Sequence, residues 1–128
     1  MEVRDAVEAD AEALGQLVDT PTDVLRNLIH DRTVRVVEVD DSPSAFVSYD
    51  ARPETVYITQ LDGDPATYER LLEEPIRFAR REQMTVELLV GEDDDPLRSA
   101  ATNAGFDEIG GGPRFENEPT IRYRFTPE

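Results

Sequence analysis

Residues Thr85–Ile109, TVELLVGEDDDPLRSAATNAGFDEI, decide the fold. Val86, Leu88 and Val90 alternate with Glu87 and Leu89, the two-residue period of a strand with a buried face. Asp95-Pro96 then offers an N-cap followed by proline at the first helical position. Gly105 stands where a left-handed residue closes a helix. Phe106 is placed to make the hydrophobic contact of a Schellman cap, back onto Ala100 or Ala101. The stretch therefore predicts a strand over 85–90, an acidic loop, a helix over 96–104 and a turn into a further strand.

Outward from this centre the periods alternate. Met1–Val7 suits a short strand, and Glu8–Val18 a helix with Ala11, Leu14, Leu17 and Val18 on one face. Thr22–His30 gives a second helix through Val24, Leu25, Leu28 and Ile29. Thr33–Val39 reads as a strand ending in the turn Asp40-Asp41-Ser42-Pro43. Ala45–Tyr49 and Thr55–Leu61 are further strands, separated by a turn at Arg52-Pro53. Asp64–Arg81 is helical, with a kink or break expected near Glu74, because Pro75 lacks an N–H and crowds the preceding turn. Glu108–Gly110 and Pro119–Phe125 complete the sheet. The order β-α-α-β-β-β-α-β-α-β-β implies an α/β (α+β) fold, a mixed central sheet flanked by helices, in a single domain over residues 1–128.

Composition narrows the functional classes. The absence of Cys excludes disulfides and thiolate metal sites. No apolar run approaches the ~20 residues that span a bilayer, and no signal-peptide pattern opens the chain, so the cytoplasm is the expected location. Asp and Glu number 29 against 13 basic residues, a net charge of −16, and all 13 are Arg. In molar salt, where the Debye length falls to ~3 Å, such a surface keeps a protein soluble. Alternatively it faces a basic partner or mimics a nucleic acid. Acid spread without patchiness fits the salt reading better, and the total lack of Lys resembles proteins of extremely halophilic archaea. Nothing forms the basic footprint that nucleic-acid phosphates require.

Three features together resemble the GCN5-related N-acetyltransferases: the opening VRDAVEADAEALGQLV, the element order, and a helix ending in Gly105-Phe106 before the next strand. The resemblance covers nearly the whole chain. It implies an acyl-CoA N-acyltransferase-like fold, acetyl-CoA as cosubstrate, and an amine acceptor, small-molecule or protein, with a homodimer as an option. It also implies that the backbone of Thr59, Gln60 and Leu61 pairs the pantetheine arm, and that Gly63, Ala66 and Thr67 belong to the loop facing the pyrophosphate. In the family that loop resembles Gln/Arg-x-x-Gly-x-Gly/Ala, whose free N–H groups bind the phosphates. Here the glycine positions fall on Asp64 and Ala66.

The departures have physical consequences. Asp64 is a good N-cap, so its carboxylate competes for the N–H groups a phosphate needs. Pro65 removes a donor outright. A carboxylate ~5 Å from a phosphate charge costs about 3 kcal/mol at an effective dielectric of about 20. An acid-capped helix without a ligand is the favoured reading of the loop alone. The family's Tyr, four residues before the Gly of "GF", is Ala101, and its Asn seven residues earlier is Asp94. Candidate catalytic residues therefore come from the residues themselves: Tyr57 as a proton donor and Glu54 or Glu87 as a base, with Tyr49 on the strand neighbouring Tyr57. His30 reads as structural. Gly91–Asp95 lacks the ligand spacing of a calcium loop, and Gly110–Gly112 lacks the Lys of a phosphate loop, so no metal is expected. Two functions stay open: an acyl-CoA-dependent N-acyltransferase, or a non-catalytic module that keeps the fold and has lost the cosubstrate.

Overall fold

A computed structural model describes residues 1–127. Seven strands form one sheet: β1 (Glu2–Asp5), β2 (Thr33–Val39), β3 (Ser42–Ala51), β4 (Thr55–Gly63), β5 (Thr85–Gly91), β6 (Asp107–Gly111) and β7 (Thr120–Phe125), in the spatial order β1-β2-β3-β4-β5-β7-β6. Among the described strands only the neighbours β4 and β5 pair in parallel, and the chain passes from one to the other by a crossover through α3. The helices are α1 (Asp10–Val18), α2 (Thr22–Asp31), α3 (Tyr68–Glu82) and α4 (Asp95–Asn103), with a 3-10 turn at Pro65–Thr67 ahead of α3. The element order follows the expected pattern throughout.

Each sheet face has its own core. On one face Val47, Val56, Ile58, Val86, Leu88 and Val90 meet Leu71, Leu72, Ile76 and Ala79 of α3 and Leu97, Ala100 and Ala101 of α4. On the other, Val34, Val36 and Phe46 meet Ala11 and Leu14 of α1 and Leu25 of α2. The second cluster draws on β2 and β3 alone among the strands. The corresponding face of β4 and β5 leaves Tyr57 and Leu89 exposed. None of the described helices is long and apolar enough to cross a membrane.

The cap read from Gly105-Phe106 forms as a Schellman motif. The Phe106 N–H donates to the Ala101 carbonyl at 3.0 Å, the Gly105 N–H donates to the Thr102 carbonyl at 3.1 Å, and Gly105 has φ +101°. Phe106 is then buried in the same core as Ala100 and Ala101. Four local expectations are corrected. The N-cap of α4 is Asp94, whose Oδ1 accepts from Leu97 N–H at 3.3 Å, so Asp95 is already helical. Leu17 is exposed and Gly15 takes the inward position, because a Cβ there would lie 2.7 Å from the Thr20 carbonyl oxygen where the chain turns toward α2. Val24 is likewise exposed, since α2 buries only its Leu25 stripe. Finally, α3 runs unbroken through Pro75. That ring is buried on the same stripe as Leu71, Leu72, Ile76 and Ala79, and the burial of the whole stripe offsets the lost hydrogen bond.

One ion pair fixes how the chain enters α1. Arg4 on β1 donates to both oxygens of Asp10, at 2.7 and 2.8 Å, and also to Glu38 on β2. Asp10 accepts in addition from Val7 N–H at 2.7 Å, closing the turn before the helix. The hydrogen bonds from Arg4 hold the Asp10 carboxyl below its ordinary value, burial opposes the shift, and the Val7 N–H adds to it. A depressed folded pKa means a stabilisation fully present above the ordinary carboxylate pKa and lost as pH falls through the lower folded value. Asp10→Asn should cost about 1–3 kcal/mol at neutral pH. The gap to the native chain should close on acidification, as urea titrations across the acid range would show.

Candidate active site

The site arises where β4 and β5 part. Their parallel ladder holds only Thr55 with Thr85, Val56 with Val86 and Tyr57 with Glu87. The closed end is tied by the Thr55 and Thr85 hydroxyls, 3.0 Å apart. Beyond Tyr57, β4 stays with β3 as far as Gly63, and β5 stays with β7 as far as Gly91. A bulge bends β4 at the parting point. Ser48 pairs with Gln60 and Tyr49 with Ile58, so Thr59 is the extra residue, its Oγ1 2.6 Å from Ser48 Oγ. The inner edge of β4 from Ile58 onward thus has backbone groups with no strand partner.

Between the strands lies a groove of about 650 Å³, walled by Tyr57, Thr59, Glu87, Leu89, Phe115 and Arg122. A second compartment of about 410 Å³ shares Thr59, Leu89 and Phe115 and reaches along β4 to Gln60 and Leu61. The segment between β6 and β7 forms the overhang. Phe115 and Glu118 exchange backbone hydrogen bonds of 2.9 and 2.8 Å around a tip in which Glu116 and Asn117 have positive φ. Glu116 and Glu118 therefore stand on the groove wall beside Phe115, which is 71% exposed.

The sequence candidates separate in space. Tyr57, at the last paired position, and Thr59 line the groove, and Gln60 and Leu61 line its extension. Glu54 is not brought there: it is exposed at the closed end of the strands, where its carbonyl accepts from Thr85 N–H at 3.2 Å. Tyr49 is buried in the core against Phe78. Glu87 does face the groove, but its two oxygens accept from Arg122 and Arg124, each at 3.1 Å, so both are engaged. Among the described residues no group of acidic and histidine side chains could hold a metal. Phe115, Glu116, Glu118 and Arg122 escape a reading by motif. Their one signal is an isolated aromatic within a Gly-, Pro- and Glu-rich connection.

Gly63, Ala66 and Thr67 lie beyond the groove, in a loop whose N–H groups are all engaged. Gly63 N–H donates to Asp62 Oδ1 at 2.8 Å and Asp64 N–H to the Ser44 carbonyl at 2.9 Å. Ala66 N–H donates to Asp64 Oδ1 and Thr67 N–H to the Asp64 carbonyl, both at 3.0 Å, and Tyr68 N–H reaches the Pro65 carbonyl. The Tyr68 phenol is pushed above its ordinary value by burial first, then by the charges of Asp94, Asp62 and Asp64, which surround this corner. Gly63 serves the sheet: with φ +119°, a Cβ there would lie 2.5 Å from both Ala45 Cα and the Ser44 carbonyl oxygen.

No family model and no curated protein matches the sequence. Solved structures do match the fold. An N-acetyltransferase from Staphylococcus aureus Mu50 is similar with a TM-score of 0.81 at 13% identity, over 98% of this chain and 96% of that one. The ribosomal-protein-S18-alanine N-acetyltransferase of Escherichia coli gives 0.81 at 12%, over 98% and 92%. A ribosomal-protein-alanine N-acetyltransferase from Brucella melitensis gives 0.77 at 19%, over 98% and 99%. The chain has the fold of the GCN5-related acyl-CoA N-acyltransferases.

Judged against acyl-CoA, the site divides. The groove and the bare edge of β4 suit an extended, amide-bearing arm. The loop does not suit a diphosphate, since it offers no open N–H from Gly63 to Tyr68 and carries three nearby carboxylates. Gly63→Ala should destabilise the fold by more than about 2 kcal/mol through strain and overlap with β3. Chemical denaturation would measure the loss, and a near-neutral result would contradict the close approach of the two strands.

Proposed function

We propose that the protein is an N-acyltransferase, moving an acyl group from a thioester to an amine held in the groove between β4 and β5. The observation that carries this reading is the parting of the two strands after three paired residues, which leaves an open groove along an unpaired backbone edge. The free groups of Ile58–Leu61 pair the amides of the donor's arm, as an added strand would. Glu116 and Glu118 favour approach of a cationic amine. The amine nitrogen, once it has lost its proton to solvent, attacks the thioester carbonyl. The C–S bond breaks, the Tyr57 phenol at the apex protonates the sulfur, and the proton shed by the nitrogen as the amide forms returns to the phenolate. The acceptor is an amine, small-molecule or protein. A cytoplasmic location, tolerance of molar salt and a homodimer belong to the same proposal.

The sealed loop supports a second reading, a module that keeps the fold and transfers nothing. Titration with S-acetylpantetheine, followed by amide chemical shifts in molar KCl, separates the two. The transferase reading expects shifts concentrated at Ile58, Thr59, Leu88 and Leu89, and at least about tenfold weaker binding in Thr59→Arg. Silence at these residues up to millimolar ligand, with acetyl-CoA equally silent, would leave the module. In an acceptor-screening assay Tyr57→Phe should lower kcat by about 10²-fold or more with little change in KM.

A further inference from the structure

We infer that the groove is built for an acyl thioester that ends at its pantetheine-like arm, and that it excludes the nucleotide diphosphate of coenzyme A. The inference rests on the acyltransferase reading above and concerns the class of donor.

Coenzyme A continues from its arm into a diphosphate and a 3′-phosphate, and a site for them must supply open N–H groups or guanidinium groups. Neither is present where the groove ends. Gly63, Asp64, Ala66, Thr67 and Tyr68 each donate their N–H within the protein, and residue 65 is proline. The next helix start is closed in the same manner, by Asp94 accepting from Leu97 N–H. Arg70 on α3 is engaged by Glu73 and Glu74. Arg98 on α4 donates to the Tyr123 hydroxyl and to the Glu92 carbonyl. Opening the loop would break the bond to Ser44 that anchors it to β3. The net charge of −16 adds a repulsion that grows with every phosphate on the ligand. The groove itself sets Leu89, Phe115, Tyr57 and Thr59 against the arm, its acidic Glu116 and Glu118 add no attraction for phosphate, and its Arg122 is engaged by Glu87.

A ladder of donors tests this on the native chain: S-acetylpantetheine, its 4′-phosphate and acetyl-CoA, titrated calorimetrically in low and in molar KCl. The inference expects affinity to stay level or to fall at each added phosphate, with the falls shrinking in molar KCl as charge is screened. Acetyl-CoA binding tenfold or more tightly than S-acetylpantetheine in both salts would overturn it while leaving the acyltransferase reading intact. Absence of binding by every rung would remove both. The double variant Asp64→Gly, Pro65→Gly reopens two N–H groups and should move the preference toward acetyl-CoA by about tenfold. A folded double variant with an unchanged ladder would also overturn the inference, since the capped N–H groups would then not be the cause.

Discussion

The parting of β4 from β5 is the constraint on which the rest of the molecule depends. Two strands in one sheet ordinarily satisfy each other's backbone along their whole length. Here three pairs are made, and then each strand follows its outer neighbour. The bulge at Thr59 turns β4 away, and the hydrogen bond between Thr59 and Ser48 holds the bend. Gly63 keeps β4 tight against β3 beyond that point, and the antiparallel ladder with β7 keeps β5 from following. Leu97, Ala100 and Ala101 of α4 pack into the core beneath the divergence, and the Schellman cap at Gly105-Phe106 returns the chain to the sheet so that β7 can lie beside β5. Groove, core and connection are thus one arrangement.

Much of this was legible in the sequence, for identifiable reasons. Glycine-phenylalanine at 105–106 and the alternation at 86–90 report backbone geometry and one-sided burial, both local properties. The hairpin turn at Asp40-Asp41 is equally local, with both residues at positive φ. What escaped depended on neighbours distant in sequence. Pro75 reads as a helix breaker until the buried stripe around it is seen. Leu17 reads as core until the turn at Thr20 is found lying over Gly15. In the site, Tyr57 and Thr59 could be placed beside a groove because the resemblance to the acetyltransferases implies one along the fourth strand, and strand period puts them on it. Glu54, a carboxylate like Glu87, precedes β4 at the closed end of the strands and so lies away from the groove. The overhang of Phe115, Glu116 and Glu118 has no periodic signal, since its shape comes from a two-residue tip held over another strand.

Gly63 shows how one residue type answers to different demands. A glycine at the start of a helix invites a phosphate-binding reading, yet this one is required by the approach of β3. The N-terminus it leads into is closed by Asp64 in the way a helix with no ligand is closed. A loop of this kind satisfies its own backbone, whereas a phosphate cradle leaves donors waiting. The fold is shared with the acetyltransferases, and the difference resides in which backbone hydrogens are already spoken for.

The ion pairs that brace this fold are made with arginine. Glu74 sits among Arg35, Arg70 and Arg77, Glu87 between Arg122 and Arg124, and Asp10 against Arg4, while lysine is absent from the sequence. A guanidinium stays protonated and is a poor nucleophile, whereas a lysine amine is the group that activated esters and thioesters modify. The scaffold around the groove therefore carries no side-chain amine that an activated thioester could convert to an amide. Its cationic charges would survive prolonged exposure to such reagents unchanged.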